Sequence, residues 1–314
     1  MKMKWINELT DGDHVYGPLL VVGVSKGTTD KGLSYLNITF QDKTGNIEAK
    51  KWDVTEEDLE TVVPGGVIYV EGIVNLYKGQ PQVKVTGVSK VNDLSEVDLT
   101  NFQKVSPIPL DEMKKKLDYY MNSFKDKDVQ KITKAVISHF YDKYITYPAA
   151  VKIHHEFGSG ILHHSLTMAD VAEQVSKIYP RVDRDLLVAG ALMHDIGKTI
   201  EYENPLTPSQ TLEGKLIGHI SIMYAEFRKI VDDLHIESEV PVLLEHMILA
   251  HHGKLEFGSP VLPCTREALL LSMIDLMDSK MMILDKAYDA TKDGEWTEKL
   301  WMLDNMKFYK PKQR

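Results

Sequence analysis

The sequence predicts two domains of different class, a five-stranded β-barrel followed by an all-α domain. Three observations carry this expectation. From His14 to Val91, short runs alternate apolar and polar residues and are broken by turn residues; from about Asp111 onward, apolar residues recur every three or four positions; between them lies a patternless stretch containing SPIP. A chain of 314 residues is also longer than one core usually organises.

The strands follow in order. HVYGPLLVVGVSKG, LSYLNITFQDKTG, NIEAKKWDV, GGVIYVEGIVNLYKG and QPQVKVTGVSKV are rich in β-branched and aromatic residues at period two. DKTG at Asp42 to Gly45 and YKGQ at Tyr77 to Gln80 turn two of the connections into hairpins. Five short strands in so brief a stretch suit a small closed barrel. The pleat assigns faces: Leu36, Ile38 and Phe40 inward with Tyr35, Asn37 and Thr39 outward, and Ile68, Val70, Val74 and Leu76 inward with Tyr69, Glu71, Asn75 and Tyr77 outward. Lys50 and Trp52 alternate with inward Ala49 and Lys51 in a less regular strand. Outward aromatics beside lysines are what single-stranded nucleic acid needs, since stacking contributes roughly 1–3 kcal/mol per base. Tyr35, Lys50, Trp52, Tyr69 and Tyr77 are therefore candidate substrate contacts.

Residues 92–109 read as the linker. The helical pattern starts with DEMKKKLDYYMNSF and KDVQKITKAVISHFYDKY and continues through at least five more amphipathic segments, with EKLWMLDNMKFYK read as part of the C-terminal helices. The aromatic and methionine residues of that last segment suggest either a contact between subunits of a homo-oligomer or packing within the chain. The predicted division is 1–95, 96–147 (linker and leading helices) and 148–314.

Composition narrows the class. With 43% hydrophobic and 26% charged residues the chain is ordinary for a soluble protein, and no run approaches the ~20 apolar residues of a membrane span. The start, MKMKWINELTDGD, lacks the apolar core of a signal peptide, and the lone Cys264 cannot form an internal disulfide, so a cytoplasmic protein is expected. The net charge is −9, and residues 1 to 95 hold ten lysines against thirteen acidic residues. Any nucleic acid must then be held by local basic groups, metal ions or stacking.

The sharpest motif is ALMHDIGK at 191–198. His194 and Asp195 lie about 100° apart around a helix, and Lys198 follows His194 by four residues. Most of the twelve histidines fall between His154 and His252. His163 and His164 occur in GILHHSLTM, His219 in GHISIM, His246, His251 and His252 in HMILAHHGK, and Asp275 and Asp278 in LLLSMIDLMDSK. Imidazoles and carboxylates delivered one at a time from separate helices are how helical bundles build metal centres. A nitrogen and oxygen donor set without cysteine suits manganese, iron, magnesium or zinc rather than a sulfur-bound structural ion.

Residues 12 to 92 resemble the oligonucleotide-binding (OB) fold. The order His, His-Asp, Asp across residues 148 to 290 resembles the HD-domain phosphohydrolases. By position, that resemblance implies His164, His194, Asp195 and Asp275 as ligands of a first ion, with His219 and His251 on a second and His252 beside them. Asp195 would bridge the two ions, and Lys198 would face the substrate phosphate; these two are the implied catalytic pair. His163 and His246 stay open as ligands or as their hydrogen-bond partners, and Asp278 is expected behind the ligands or on the helix surface. His154 and His155, in VKIHHEFGSG, resemble a loop ahead of the first ligand and are candidate substrate contacts. No GYP follows the HHG, which disfavours a cyclic di-GMP phosphodiesterase.

Nearly the whole chain resembles the YhaM family of bacterial 3′-to-5′ exoribonucleases. That resemblance implies single-stranded RNA as substrate, with single-stranded DNA as a second possibility, and the direction of digestion. It also implies manganese, with Mg²⁺, Fe²⁺, Zn²⁺ or Co²⁺ as alternatives. One departure is GSG at 158–160, where relatives often have G-G-L-L. Two other readings remain open: a DNA-element-binding replication or regulatory protein with a structural HD domain, and a small-nucleotide phosphohydrolase.

Overall fold

The alternating segments close on themselves. In this computed structural model the described residues are 4–28, 32–91, 97–98, 101–102, 106–149, 158–206 and 208–312. The chain divides into two units, Met1–Val105 and Ser106–Arg314.

The first unit is a closed barrel of β1 (His14–Thr28), β2 (Ser34–Asp42), β3 (Gly45–Trp52), β4 (Val67–Tyr77) and β5 (Gln80–Lys90), in the order β1-β2-β3-β5-β4. β1 is long enough to serve two neighbours: His14 to Leu20 pair with β4, and Leu20 to Thr28 with β2, with a register shift between Val21 and Gly23. Only the β3–β5 pair is parallel, and closing the barrel this way leaves no free sheet edge. Leu36, Ile38, Phe40, Ile68, Val70 and Val74 fill the interior as the pleat predicts.

Leu76 does not. It is 56% exposed, because β4 and β5 run on past the barrel wall as a two-stranded hairpin in which Leu76 faces Pro81 and Tyr77 faces Gln80. The alternation stays correct there, but the barrel has ended.

A short helix, α1 (Glu56–Thr61), stands between β3 and β4 and was not foreseen. Its signal was Thr55-x-x-Asp58, a capping box: Thr55 Oγ1 accepts from Asp58 N–H at 3.1 Å, and the Asp58 carboxylate accepts from Thr55 N–H at 2.9 Å. Asp58 also pairs with inward Lys51 at 3.2 Å. Burial opposes the charge, but the Thr55 hydrogen bonds and the Lys51 ammonium hold the Asp58 carboxyl below its usual value.

The second unit is helical: α2 (Leu110–Ser123), α3 (Lys127–Tyr144), α4 (Gly160–Ile178), α5 (Arg184–Met193), α6 (Lys198–Glu201), α7 (Leu212–Ile217), α8 (His219–Asp232), α9 (Val240–Ala250) and α10 (Arg266–Asp289). α5 packs against α3, α4, α9 and α10, and every residue from Asp185 to Met193 is buried. A ten-residue helix apolar on all sides survives only in such a position. None of these helices is long and apolar enough to cross a membrane.

Among the described residues, EKLWMLDNMKFYK does not form the further helix expected of it. The last α-helix among the described residues, α10, ends at Asp289, and EKLWMLDNMKFYK folds back on itself through the bridge Leu300–Met306 and onto the preceding Trp296 through the bridge Trp296–Tyr309, around a 3₁₀ turn at Trp301–Leu303. Asp304 and Asn305 both adopt left-handed φ, which no α-helix tolerates, and the aromatic spacing serves a cross-bridge contact of Trp296 with Tyr309 at 5.6 Å.

Because the Asp58 pKa is lowered on folding, its contribution is full above the unfolded value near 4 and fades as pH falls through the folded value. Asp58→Asn is expected to cost about 1–2 kcal/mol at pH 7. In denaturant titrations the gap from wild type should narrow below about pH 4.

Candidate metal centre

Local geometry first brings the ALMHDIGK residues to a point. α5 ends at Met193, and the chain continues in tighter turns: Ile196 N–H reaches Met193 O and Lys198 N–H reaches Asp195 O, both i to i−3. His194 and Asp195 thus project from a helix end, not from the helix side that periodicity predicts. Gly197 lies so close to α8 that a Cβ would fall 2.1 Å from His219 O. This approach seats His219, the first residue of α8, against Asp195. α4, which carries His164, is preceded by Ser159, whose N–H and hydroxyl donate to Thr146 O and Ile145 O just past the end of α3. His251 follows the last residue of α9, and Asp275 and Asp278 sit one turn apart on α10.

Asp195 is the hub. Its Oδ2 lies 2.6 Å from Lys198 Nζ, 3.5 Å from His194 Nε2 and 3.7 Å from His164 Nε2. Its Oδ1 lies 3.6 Å from His219 Nε2 and 3.7 Å from His251 Nε2. Asp275 Oδ1 is 3.3 Å from His164 Nε2. Three sets of potential ligand atoms converge: His164, His194 and Asp195; His194, His251 and Asp275; and His219, His251 and His252.

The rings face the centre with the same nitrogen. Nδ1 of His164 meets Asp278 Oδ2 at 2.6 Å, and Nδ1 of His219 meets Glu201 Oε2 at 2.8 Å. Nδ1 of His194, His251 and His252 meets the backbone oxygens of Ala191, Ile248 and Phe257 at 3.0, 2.7 and 2.7 Å. His194 and His251 each bond the carbonyl three residues back, so each caps the C-terminal end of its own helix. Because those oxygens accept, every Nδ1 donates, which leaves Nε2 of each ring that is neutral with a lone pair toward the centre.

The residues fit divalent cations. Asp195 Oδ1, His219 Nε2 and His251 Nε2 are buried with no hydrogen-bond partner among the described residues, and His164 Nε2 lies 3.2 Å from His194 Nε2. Among the described residues, four carboxylates, Asp195, Asp275, Asp278 and Glu201, pair with the histidines of the cluster or with Lys198, the ammonium bound to Asp195. His164, His194, Asp195 and His251 are at most 2% exposed, so the excess negative charge cannot be left to water. Protonation follows the same field. Burial works against charge on His164, yet Asp275 and Asp278 push its pKa up to about 10. Burial and the neighbouring His194 and His252 hold His251 neutral. Burial also opposes the charges of Asp195 and Lys198, but their mutual attraction keeps Asp195 ionised and raises Lys198.

Other candidates lie elsewhere. His246 Nε2 accepts Cys264 N–H at 2.8 Å, and the His163 ring is outside the three converging sets. His154 and His155 lie outside the described residues. On the barrel, Tyr35 and Trp52 face each other across β2 and β3 with rings 4.9 Å apart. Lys50 Nζ stands 4.9 Å from the Tyr35 ring, 5.4 Å from Trp52 and 5.9 Å from Tyr77. Tyr69, between Pro18 and Ser89, stands apart from that cluster.

Residues 161–280 match the HD domain family model, and residues 20–91 match that of the OB-fold nucleic acid binding domain. The chain is 41% identical over 300 residues to a 3′-5′ exoribonuclease YhaM of Geobacillus sp. (strain WCH70), covering 96% of this chain and 93% of that protein. It is 40% identical to the protein of the same name from Bacillus subtilis (strain 168), covering 96% of each. The chain belongs to the YhaM family.

Within this YhaM-family chain the residue that sequence reasoning missed is Glu201. Its partner His219 is eighteen positions away, and only the fold joins them. Gly197→Ala should push the start of α8 away from Asp195, lowering both the melting temperature and divalent-ion affinity in calorimetry. Gly45→Ala, whose Cβ meets nothing within 4 Å, should change neither.

Proposed function

We propose that this chain is a metal-dependent exoribonuclease that hydrolyses the phosphodiester bonds of single-stranded RNA from the 3′ end. The observation that carries the reading is the convergence of imidazole Nε2 lone pairs on the two oxygens of one buried carboxylate, in a chain of this family. The reading assigns two divalent ions, one to His164, His194, Asp195 and Asp275 and the other to Asp195, His219, His251 and His252; the converging sets His164–His194–Asp195 and His219–His251–His252 support it, and His194, His251 and Asp275 also converge between them. Manganese suits this mixed nitrogen and oxygen set.

A phosphodiester resists hydrolysis because its charge repels a nucleophile and its leaving alkoxide is poor. When bound, the ions supply an activated water and positive charge for the non-bridging oxygens. The protein's own groups do the rest. Asp195 offers one oxygen to each half of the centre. Lys198, held protonated by Asp195, places a fixed positive charge beside the phosphate position. The buried walls of α5 and α9 keep bulk water from screening these charges. No serine or cysteine nucleophile enters the scheme.

The barrel contributes grip. Tyr35 and Trp52 offer stacking faces, with Lys50 among them to meet the backbone, an auxiliary hold suited to a unit without a basic surface. A cytoplasmic location follows from this substrate.

Purified protein given labelled single-stranded RNA and Mn²⁺ should yield a ladder shortening from the 3′ end. RNA left intact with every divalent ion would overturn the proposal. Asp195→Ala should remain folded by circular dichroism while losing bound metal and hydrolysis together. Trp52→Ala should raise KM for RNA by about tenfold, from a stacking loss of roughly 1–3 kcal/mol, with kcat little changed.

A further inference from the structure

The acceptors behind the five inward-facing histidines are not equivalent. His194, His251 and His252 are backed by neutral backbone carbonyls, whereas His164 and His219 are backed by the carboxylates of Asp278 and Glu201. An anionic acceptor makes an imidazole a stronger electron donor and fixes its orientation more firmly than a carbonyl does. His164 stands on the Oδ2 side of Asp195 and His219 on the Oδ1 side. Each half of the centre therefore holds one carboxylate-backed histidine.

Glu201 is itself held from several directions. It is 7% exposed at the end of α6, with Oε2 on His219 and Oε1 accepting Gln210 Nε2 at 2.9 Å. Its backbone oxygen accepts Thr211 N–H at 2.9 Å, and the adjacent Tyr202 bridges Gln210. Gly214 of α7 packs so tightly that a Cβ there would fall 2.5 Å from Glu201 O. The turn between α6 and α7 thus aims this carboxylate at the back of one metal-facing ring.

We propose that Glu201 is a positioning residue for the second divalent ion. It locks His219 in the Nδ1–H tautomer and holds Nε2 beside Asp195 Oδ1, so the half built from His219, His251 and His252 depends on it. The half built from His164, His194 and Asp275 depends on Asp278 instead. The two halves can then be emptied separately. This inference rests on the two-ion reading of the centre given above.

The test is Mn²⁺ titration of metal-free full-length protein by calorimetry, with bound metal counted by elemental analysis. Wild type should bind two ions. Glu201→Gln keeps an acceptor oxygen on His219 once the Gln210 amide turns over, so it loses charge but not orientation; its second ion should weaken by about tenfold. Glu201→Ala loses both, and should weaken the second ion by about a hundredfold while the first stays tight. Asp278→Asn should weaken the other ion. In nitrogen-15 spectra of the metal-free protein, the His219 ring should show the Nδ1–H tautomer in wild type and a mixture in Glu201→Ala. Two ions bound by Glu201→Ala at unaltered affinity, or equal weakening of both ions in both Glu201 variants, would overturn the assignment while leaving the nuclease reading intact. Wild-type protein that binds no ion would overturn both.

Discussion

Buried negative charge is the constraint on which the second unit depends. Among the described residues, Asp195, Asp275, Asp278 and Glu201 crowd a region served by the Lys198 ammonium and by the Nε2 atoms of His219 and His251, which have no hydrogen-bond partner there. A cluster like this is costly in a packed interior unless cations complete it. The protein accepts that cost locally and offsets it by surrounding the cluster with a large apolar core drawn from α3, α4, α5, α8, α9 and α10.

That requirement shapes the helices. α5 is buried on every side because its end must deliver His194 and Asp195 to the interior. Helix ends are well suited to this, since their last carbonyls lack intrahelical partners. His194 and His251 use such carbonyls to hold Nδ1, which turns Nε2 outward from the helix end toward Asp195. His219 comes from the opposite kind of terminus, the start of α8, and reaches the centre only because Gly197 has no side chain to keep α8 away. His164 and Asp275 come from the sides of longer helices, where one turn's spacing also supplies Asp278.

Much of this was legible in the sequence because it is local. Period-two alternation gives all five strands, and α3 follows the periodic run KDVQKITKAVISHFYDKY from end to end. The candidate ligand residues stood out because charged and imidazole groups interrupt otherwise apolar helices. What escaped depends on context. Leu76 keeps its inward parity but lies beyond the barrel wall. EKLWMLDNMKFYK has helical spacing, yet consecutive left-handed residues at Asp304 and Asn305 fold it into bridges. ALMHDIGK reads as one helix, but its second half tightens so that Lys198 bonds Asp195 at i−3 instead of following His194 around a regular turn. Glu201 has no motif at all; its role comes from a tertiary contact with a ring that sequence reading had already found.

The barrel obeys a different logic. Its interior is mainly apolar, with the Lys51–Asp58 pair as a buried polar exception, and the Tyr35, Lys50 and Trp52 cluster stands on β2 and β3. The most direct measurement of the central claim is anomalous diffraction at the manganese edge from crystals grown with Mn²⁺. The account predicts two peaks flanking the Asp195 carboxylate, one against each oxygen. Peaks only at surface sites, with none beside Asp195, would contradict it.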